Sequence, residues 1–509
     1  MRSAFDVEQI RAGESALMAT LPEGTLMQRA AAGLVSAIVD VAGGAYGLRV
    51  VLLVGSGDNG GDALLAGALL ARRGARVDAL LLSSTRQHHV DTLTKAGGWL
   101  HVLADEPEGL TVDSLLDQQW WQRADVVVDG ILGIGGSGGL REPAATVVDL
   151  ISLDALVVSV DLPSGVEPDT GEVLGTAVIA DLTVCMGTYK PCLLIDPAAA
   201  HAGDLHLVAI GLDEHLDQPA VEALQVDDVL DLLPWPARDA DKYRRGAVGI
   251  VAGSARYPGA AVLSVAGAVN GGAGYVRCIA PEHVVDAVRA QFPEVVCTPT
   301  IGEEQASAWL LEAGRVQSYV VGPGLGTDDR AVALVTAVLA TELPVLIDAD
   351  ALTVLAQTPE LLSTLAQRSS PTLLTPHAGE LARLLGVERS DVEARRLHYV
   401  RTAAHQFGVD VLLKGSTTLV ASPQADVAVR SNPSGTPWLG TAGSGDVLSG
   451  LAGAYLASGL SALEAGSLAA FVHGVAAQLE SEGEESPLRA LGLAAALPQA
   501  VAALREHRD

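Results

Sequence analysis

The chain has 509 residues, 49% hydrophobic and 18% charged, which excludes a disordered protein and predicts two folded domains. Its 61 acidic and 32 basic residues give a net charge of −29, and no run of more than two basic residues offers a surface for nucleic acid. Four cysteines without a CxxC pair exclude a disulfide framework, and no unbroken apolar segment of about 18 residues predicts a membrane span, so we expect a soluble cytoplasmic protein.

The first half of the chain alternates between apolar runs and helical spacing. LRVVLLVG at 48–55 predicts a buried parallel strand, GGDALLAGALLARRG at 60–74 a helix, and RVDALLL at 76–82 the next strand. ADVVVDG at 124–130 and ALVVSVD at 155–161 repeat the strand pattern. This alternation predicts a doubly wound α/β domain.

An acidic segment that closes on Pro234 and Pro236 separates the two halves. We place the first domain at 1–215, a linker at 216–240 and the second domain at 241–509. A second α/β series follows, with strands predicted in GAVGIVAGS, YVVGPGLG, PVLIDADAL, PTLLTPHAGE and DVLLKGS. Ligands of such folds bind beyond the carboxyl ends of strands, so the polar tails of these segments are candidate site residues.

The segment GSGDNGGD at 55–62 follows a strand and opens a helix, the position of phosphate-binding loops. Its spacing is not GxGxxG, and its two aspartates are unexpected beside phosphate, which argues against a Rossmann oxidoreductase. VDGILGIGGSG at 128–138 and SVDLPSGVEPDTG at 159–171 carry further polar strand ends. DLPSG alone reads as a strand-ending turn, but together with NGGD it favours a functional site.

GTAGSGD at 440–446 precedes a run of small and apolar residues that predicts a helix. A glycine loop at a helix N-terminus offers backbone N–H groups and the positive end of the dipole to an anion. A carboxylate there repels phosphate, so we interpret Asp446 as the base that deprotonates a hydroxyl attacking a phosphoryl group. The alternative interpretation is that Asp446 caps the helix.

Other polar residues in the second half allow two interpretations each. His377 and Glu380 form a weak zinc pattern, and Glu380 more simply begins the helix of LARLLG. Lys414 follows an apolar strand and is predicted to point into the site. Asp348 and Asp350 would help to hold magnesium, or Asp350 would cap the next helix.

Taken together, these motifs resemble those of the bifunctional NAD(P)H-hydrate repair enzymes over nearly the whole chain. The family's C-terminal motifs recur in order, as GPGLG (322–326), DADAL (348–352), TPHAGE (375–380), KG (414–415) and GSGD (443–446). The N-terminal family pattern GxGNNGGDG is retained except at Asp58 and Ala63. The resemblance implies two doubly wound α/β domains, a Rossmann-like NAD(P)H-hydrate epimerase and a ribokinase-like ADP-dependent dehydratase.

For the second domain, the resemblance implies that hydrated NADH or NADPH binds at Ala260, Gly324, His377 and Asp446. It places ADP, with Mg²⁺, at Lys414, Gly415, Ser416, Thr417, Thr418 and Gly445. Asp446 would activate the ring hydroxyl of the S hydrate for phosphorylation, and expulsion of phosphate would restore the nicotinamide double bond and leave AMP.

For the first domain, the resemblance implies that R and S hydrates are interconverted with Asp161 as acid and base and Lys190 as an electrostatic helper. Potassium would be held by Asn59, Asp129 and Ser164. The dinucleotide would contact Asp58, Asn59, Gly60, Gly61, Asp62, Gly133, Ile134, Gly135, Gly136, Ser137, Gly138, Gly139 and Asp161. A homo-oligomer is also expected from the family.

A second hypothesis is a ribokinase-type small-molecule kinase fused to a non-catalytic nucleotide-binding module. The Asp446 loop suits a kinase equally well. GPGLG, TPHAGE and the fused NGGD domain suit it less well.

Overall fold

The structure is a computed structural model that describes residues 1–103, 110–300 and 306–506. The chain divides into two compact units, one of residues 3–221 and one that begins at Glu222 and includes Met1 and Arg2. Residues 221–232 of the predicted linker form a strand and a helix. The predicted boundaries at 215 and 241 stay a prediction.

The N-terminal unit alternates strands with helices. The strands up to Val208 are β1 (Arg2–Ala4), β2 (Arg49–Val54), β3 (Arg76–Leu81), β4 (Trp99–Val102), β5 (Val126–Gly130), β6 (Leu156–Val160), β7 (Leu182–Met186) and β8 (Asp204–Val208). The helices are α1 (Val7–Met18), α2 (Thr25–Ala42), α3 (Asp58–Arg72), α4 (Gln87–Lys95), α5 (Gln119–Gln122) and α6 (Ala144–Asp149).

Seven of these strands form one sheet in the order β4-β3-β2-β5-β6-β7-β8, and every neighbouring pair is parallel. The central strands are buried on both faces, which explains why they read as continuous apolar runs. The strand order reverses between β2 and β5. This confirms the predicted strands of the first half and their doubly wound arrangement.

The C-terminal unit has a larger sheet. Its strands are β9 (Val221–Ala223), β10 (Ala247–Val251), β11 (Tyr275–Ala280), β12 (Val296–Pro299), β13 (Ser318–Val321), β14 (Val345–Ile347), β15 (Thr372–Leu374), β16 (Asp410–Leu413), β17 (Thr418–Ala421) and β18 (Val429–Asn432).

Its helices surround this sheet. They are α7 (Val226–Leu232), α8 (Pro258–Asn270), α9 (Glu282–Gln291), α10 (Ala306–Ala313), α11 (Asp329–Leu339), α12 (Asp350–Gln357), α13 (Pro359–Ala366), α14 (Ala378–Leu385), α15 (Arg389–Ala394), α16 (Arg396–Phe407), α17 (Ser444–Ala457), α18 (Ala462–Glu480) and α19 (Ala490–Glu506).

The main part of this sheet runs in the order β12-β11-β10-β13-β14-β15-β16-β17-β18. The strands from β12 to β16 are parallel, and β17 and β18 continue the sheet antiparallel. The order reverses between β10 and β13. The doubly wound prediction is therefore confirmed for the second half as well.

Helices α8 and α17 approach each other at backbone contact distance. A Cβ atom on Gly450 would lie 1.9 Å from the carbonyl oxygen of Ser264, and one on Gly267 would lie 2.1 Å from the carbonyl oxygen of Val447. Both helices are rich in small residues, which permits this packing. The contact fixes the N-terminal ends of two helices on which the predicted C-terminal site depends.

Two helices, α2 and α18, are long and apolar enough to cross a membrane by length and composition. In α2, 33% of the tested segment is buried, and in α18 the share is 67%. Leu34 and Ile38 of α2 and Leu468 and Val472 of α18 belong to apolar cores. Core helices pass this test on composition alone, so it is weak support for a membrane span.

We predict that Gly450→Ala destabilises the C-terminal unit by about 1–3 kcal/mol, because the new methyl group forces the backbones of α8 and α17 apart. Gly259→Ala is the matched control, since its Cβ would meet no atom within 4 Å. Urea unfolding followed by circular dichroism measures both. Equal midpoints for the two variants would contradict the close-packing argument.

Candidate active sites

The first candidate site lies where the strand order of the N-terminal sheet reverses. At Gly55, after β2, a Cβ atom would lie 1.8 Å from the carbonyl oxygen of Ile131. At Gly60 it would lie 2.3 Å from the carbonyl oxygen of Gly55. Only glycine permits these approaches, so the GSGDNGGD loop is held against the end of β5 at the position where doubly wound folds bind ligands.

Asn59 is buried in the first turn of α3 and faces the ends of two strands. Its side-chain amide donates to the carbonyl oxygens of Leu132, at 3.1 Å, and Val160, at 2.5 Å. A Cβ atom on Gly133 would lie 2.5 Å from Oδ1 of Asn59, so the amide and the Gly133–Gly139 loop are adjacent.

Asp129, at the end of β5, is fully buried among hydrogen-bond donors. Its Oδ1 accepts from the hydroxyl of Ser164 at 2.6 Å, and its Oδ2 accepts from the hydroxyl of Ser159 and the backbone N–H of Ser164, both at 2.8 Å. Burial raises the pKa of Asp129, whereas these hydrogen bonds act to lower it. The Ser164 hydroxyl also lies 3.2 Å from the Leu132 carbonyl oxygen that Asn59 contacts. The structure thus brings together all three predicted potassium ligands.

Asp161 follows β6 with a φ of 72°, a left-handed conformation that is uncommon outside glycine. Its Oδ1 accepts from the backbone N–H of Met186 at 2.9 Å and from the ammonium group of Lys190. Lys190 is fully buried and also donates to the carbonyl oxygens of Thr188, at 3.0 Å, and Met186, at 3.3 Å. Among the described residues, the side-chain hydrogen bonds of Asp161 end on Oδ1.

The remaining predicted N-terminal residues differ in exposure. Gly60, Gly61 and Asp62 are buried, whereas the side chain of Asp58 is 72% exposed and pairs with exposed Arg86 at 3.2 Å. In the glycine loop, Gly135 and Ser137 are exposed.

Two residues that sequence reasoning missed lie on α1. Nη2 of Arg11 would be 3.3 Å from a Cβ atom on Gly135, and Glu14 interacts electrostatically with Asp161 and Lys190. Arg11 and Glu14 are three residues apart and share a helix face. This spacing is common on exposed helices, so it gave no specific signal.

The second candidate site lies where the strand order of the C-terminal sheet reverses, beyond β10 and β13. Gly322 has a φ of 127°, and a Cβ atom there would lie 1.9 Å from the carbonyl oxygen of Asp348. Gly324 has a φ of 59°, and its Cβ would lie 2.7 Å from that of Ala260 at the start of α8. The predicted substrate residues Ala260 and Gly324 are therefore in contact.

Helix α17 begins at the predicted glycine loop. Its N-cap is Gly443, with a φ of 90° and no side-chain cap, so the interpretation of Asp446 as the capping residue is wrong. Asp446 lies instead in the first turn, where helix N–H groups lack intrahelical partners. Burial raises the pKa of Asp446 to about 7, with Asp348 as the next cause. A carboxyl group with this pKa is suited to proton transfer near neutral pH.

The amino group of Lys414 lies beside this helix end. It donates to Oδ1 of Asp348 at 2.7 Å, lies 3.9 Å from Oε2 of Glu380, and would be 3.4 Å from a Cβ atom on Gly445. Burial opposes the charge of Lys414, but Asp348 and Glu380 outweigh this effect and raise its pKa. The prediction that Lys414 points inward is confirmed by these contacts.

His377 and Glu380 form a reciprocal cap at the start of α14. Nδ1 of His377 accepts from the backbone N–H groups of Gly379, at 3.0 Å, and Glu380, at 3.2 Å, while Oε2 of Glu380 accepts from the N–H of His377 at 2.8 Å. The helix begins at Ala378, two residues before the predicted start, and Glu380 lies in its first turn, where its negative charge suits the helix dipole. Across the described residues, no group of three or more His, Cys, Asp or Glu side chains is arranged to hold a metal ion.

The two aspartates of DADAL, Asp348 and Asp350, are hydrogen-bonded to other groups of the protein. Oδ2 of Asp348 accepts from the Ser449 hydroxyl at 2.6 Å, in addition to the contact of Oδ1 with Lys414. Oδ2 of Asp350 accepts from the N–H of Gly326 at 2.8 Å, and Ala349, not Asp350, is the N-cap of α12. The capping interpretation of Asp350 is therefore wrong.

The predicted nucleotide residues Lys414, Gly415, Ser416 and Thr417 form the loop between antiparallel β16 and β17, and Thr418 begins β17. Buried Arg396 holds this loop by donating to the carbonyl oxygens of Lys414, at 3.2 Å, and Thr417, at 2.9 Å. A Cβ atom on Gly415 would lie 2.3 Å from Nη2 of Arg396, so glycine is required there. The sequence analysis missed Arg396 because this residue is far from the loop in the sequence, so no local pattern indicates the contact.

Comparisons with known proteins match the N-terminal and C-terminal halves of the chain to two different families. A family described as NAD(P)H-hydrate dehydratase matches residues 248–498, and one described as YjeF-related protein N-terminus matches residues 23–192. A solved structure titled as an ADP/ATP-dependent NAD(P)H-hydrate dehydratase from Bacillus subtilis, co-crystallized with ATP/Mg²⁺, is 29% identical. It covers 55% of this chain and 97% of its own, with a TM-score of 0.49.

Two curated relatives cover nearly the whole chain. The bifunctional NAD(P)H-hydrate repair enzyme Nnr of Mycobacterium leprae is 46% identical over 94% of this chain and 94% of its own length. Its namesake from Mycobacterium tuberculosis strain H37Rv is 46% identical over 91% of each chain. The chain therefore belongs to the family of bifunctional NAD(P)H-hydrate repair enzymes.

Proposed function

We propose that the two units divide the repair of hydrated NADH and NADPH. The N-terminal unit interconverts the R and S hydrates, and the C-terminal unit dehydrates the S form at the expense of a nucleotide, with ADP as the donor. The observation that carries this proposal is the position of Asp446, a half-buried carboxyl group in the first turn of α17 with Lys414 beside it.

In the C-terminal unit, the unpaired N–H groups at the start of α17 and the ammonium group of Lys414 bind phosphoryl oxygens. Asp446 takes the proton from the ring hydroxyl as this oxygen attacks the terminal phosphorus of the nucleotide. The ring nitrogen then supplies the electron pair that expels phosphate and restores the double bond. Ala260, Gly324 and His377 are proposed to bind the hydrate, and residues 414–418 with Gly445 to bind ADP.

Magnesium is proposed to enter with the nucleotide. Because Asp348 and Asp350 are already hydrogen-bonded to Lys414, Ser449 and Gly326, the nucleotide phosphates and water would supply most of its ligands. Bound there, the ion would neutralise charge on the phosphates.

In the N-terminal unit, Asp161 is proposed as the acid–base group near the hydrated ring. The ammonium group of Lys190 and the backbone N–H of Met186 hold its Oδ1, and Oδ2 is proposed to face the substrate. The loops Asp58–Asp62 and Gly133–Gly139 bind the dinucleotide.

The same unit offers oxygens that fit potassium. Asn59, Asp129 and Ser164 lie together with the carbonyl oxygens of Leu132 and Val160, and such neutral and anionic oxygens suit a weakly hydrated cation. Asn59 and Ser164 would turn their oxygens to the ion, whose charge would offset the nearby carboxylates. Cytoplasmic location and a homo-oligomer remain predictions.

The test uses the purified full chain with a mixture of R and S hydrates of NADH, potassium and magnesium. ADP and ATP are supplied separately, and absorbance at 340 nm and free phosphate are followed. Recovery of all NADH with an equal amount of phosphate would support both activities and identify the donor. A stable phosphorylated product with no gain in absorbance would instead favour the kinase hypothesis.

We predict that Asp446→Asn lowers the rate of S-hydrate dehydration by about 100-fold or more, because the amide cannot accept the proton of the ring hydroxyl. Epimerisation, measured without nucleotide by chromatography of the two hydrates, should be unchanged. Asp329→Asn, at an exposed position of α11, is a control for loss of one carboxylate. Dehydration by Asp446→Asn at the parental rate would refute this role.

We predict that dehydration of pure S hydrate increases with pH through a midpoint near the pKa of Asp446, about 7. The sign follows because only the deprotonated carboxylate accepts a proton. Initial rates at saturating substrate between pH 5.5 and 8.5 measure this profile. A rate that is flat or falls over this range would contradict the assignment.

A further inference from the structure

Asp62 is a buried carboxyl group at the end of the proposed dinucleotide-binding loop, and the mechanism above gives it no chemical role. It is 8% exposed, and its buried Oδ1 has no hydrogen-bond partner among the described residues. An orphaned buried oxygen costs free energy and is uncommon in a folded protein unless a ligand completes it.

The position of Asp62 on α3 directs it toward the site. It lies one turn beyond Asn59, on the same face of the helix, and Asn59 contacts the carbonyl oxygen of Val160, the residue before Asp161. The charge of Asp161 raises the pKa of Asp62, so the two carboxyl groups lie within electrostatic range of each other. Asp62 thus belongs to the same cluster as the proposed acid–base group.

Charge around the two carboxyl groups is unequal. Asp161 has the buried ammonium group of Lys190, whereas the groups that act on Asp62 are the carboxylates of Asp161, Asp58 and Glu14. Burial, followed by these three carboxylates, raises the pKa of Asp62 well above its ordinary value. Neighbouring carboxyl groups in such unequal surroundings take opposite roles in proton transfer.

We propose that Asp62 is the second acid–base residue of the epimerase site and donates a proton to the departing ring hydroxyl. This inference rests on the proposed epimerase function. The C6–O bond breaks as the ring nitrogen supplies its electron pair, and the hydroxyl leaves as water with the proton from Asp62. A water molecule then adds to C6 from the other face and gives its proton to Oδ2 of Asp161. A proton then passes from Asp161 to Asp62 through water, which restores the starting state for the next turnover.

The experiment uses the full chain with mixed hydrates, ADP, potassium and magnesium, and follows absorbance at 340 nm. The S hydrate gives a fast phase from dehydration, and the R hydrate gives a slower phase limited by epimerisation. We expect Asp62→Asn to slow the second phase by about 100-fold and to leave the first phase unchanged. Asp78→Asn is the control, since Asp78 is a buried carboxylate of the same unit that pairs with Arg76 and His101.

The pH profile distinguishes a role of Asp62 in proton transfer from a purely structural role. With Asp62 as the proton donor, epimerisation should fall as rising pH deprotonates this carboxyl group, and Asp62→Glu should show the same fall. Circular dichroism checks folding, and Asp62→Ser replaces Asp62→Asn if the latter does not fold.

A second phase at the parental rate in Asp62→Asn would overturn the inference and leave the proposed function intact. An absent second phase in the parental protein would overturn both. Loss of the second phase with an unchanged first phase and a parental Asp78→Asn variant would support the role of Asp62.

Discussion

Close approach of backbone to backbone is the constraint on which both candidate sites depend. In the N-terminal unit Gly55 packs against the carbonyl of Ile131, and in the C-terminal unit Gly322 packs against the carbonyl of Asp348. Each glycine stands at the end of a strand where the sheet reverses its order. Because no side chain occupies these points, the loops pack directly against the ends of the neighbouring strands β5 and β14.

The two candidate sites have a similar arrangement of charged side chains. Each site pairs a lysine with a buried aspartate, Lys190 with Asp161 and Lys414 with Asp348, and each contains a further carboxyl group that has no such close hydrogen-bonded pair. The unpaired group in each unit has a raised pKa because burial disfavours its charge. The two sheets differ in strand number and strand order, yet each candidate site has this arrangement.

Much of the fold was predictable because its signals are local. A buried parallel strand must be continuously apolar, and the turn after it needs glycine or a polar residue, so β2, β5, β10 and β13 and the loops after them could be placed from sequence. Contacts between residues that are far apart in the sequence could not be predicted in this way. The capping interpretations of Asp446 and Asp350 failed because each helix start is fixed by a neighbouring loop. Arg396 was invisible because its partners are backbone carbonyls, which carry no residue identity.

The Lys190–Asp161 pair has a consequence for how this sequence can change over time. Lys190 has no exposed surface, and within the described part of the chain its ammonium group donates to Asp161 and to the backbone carbonyls of Met186 and Thr188. Removing one partner of a buried pair typically costs about 3–5 kcal/mol, because the other charge is left without compensation. A substitution at one of the two positions alone would therefore destabilise the fold by a large amount. We expect the lysine and the aspartate to be conserved together, even in relatives in which the surrounding loop differs.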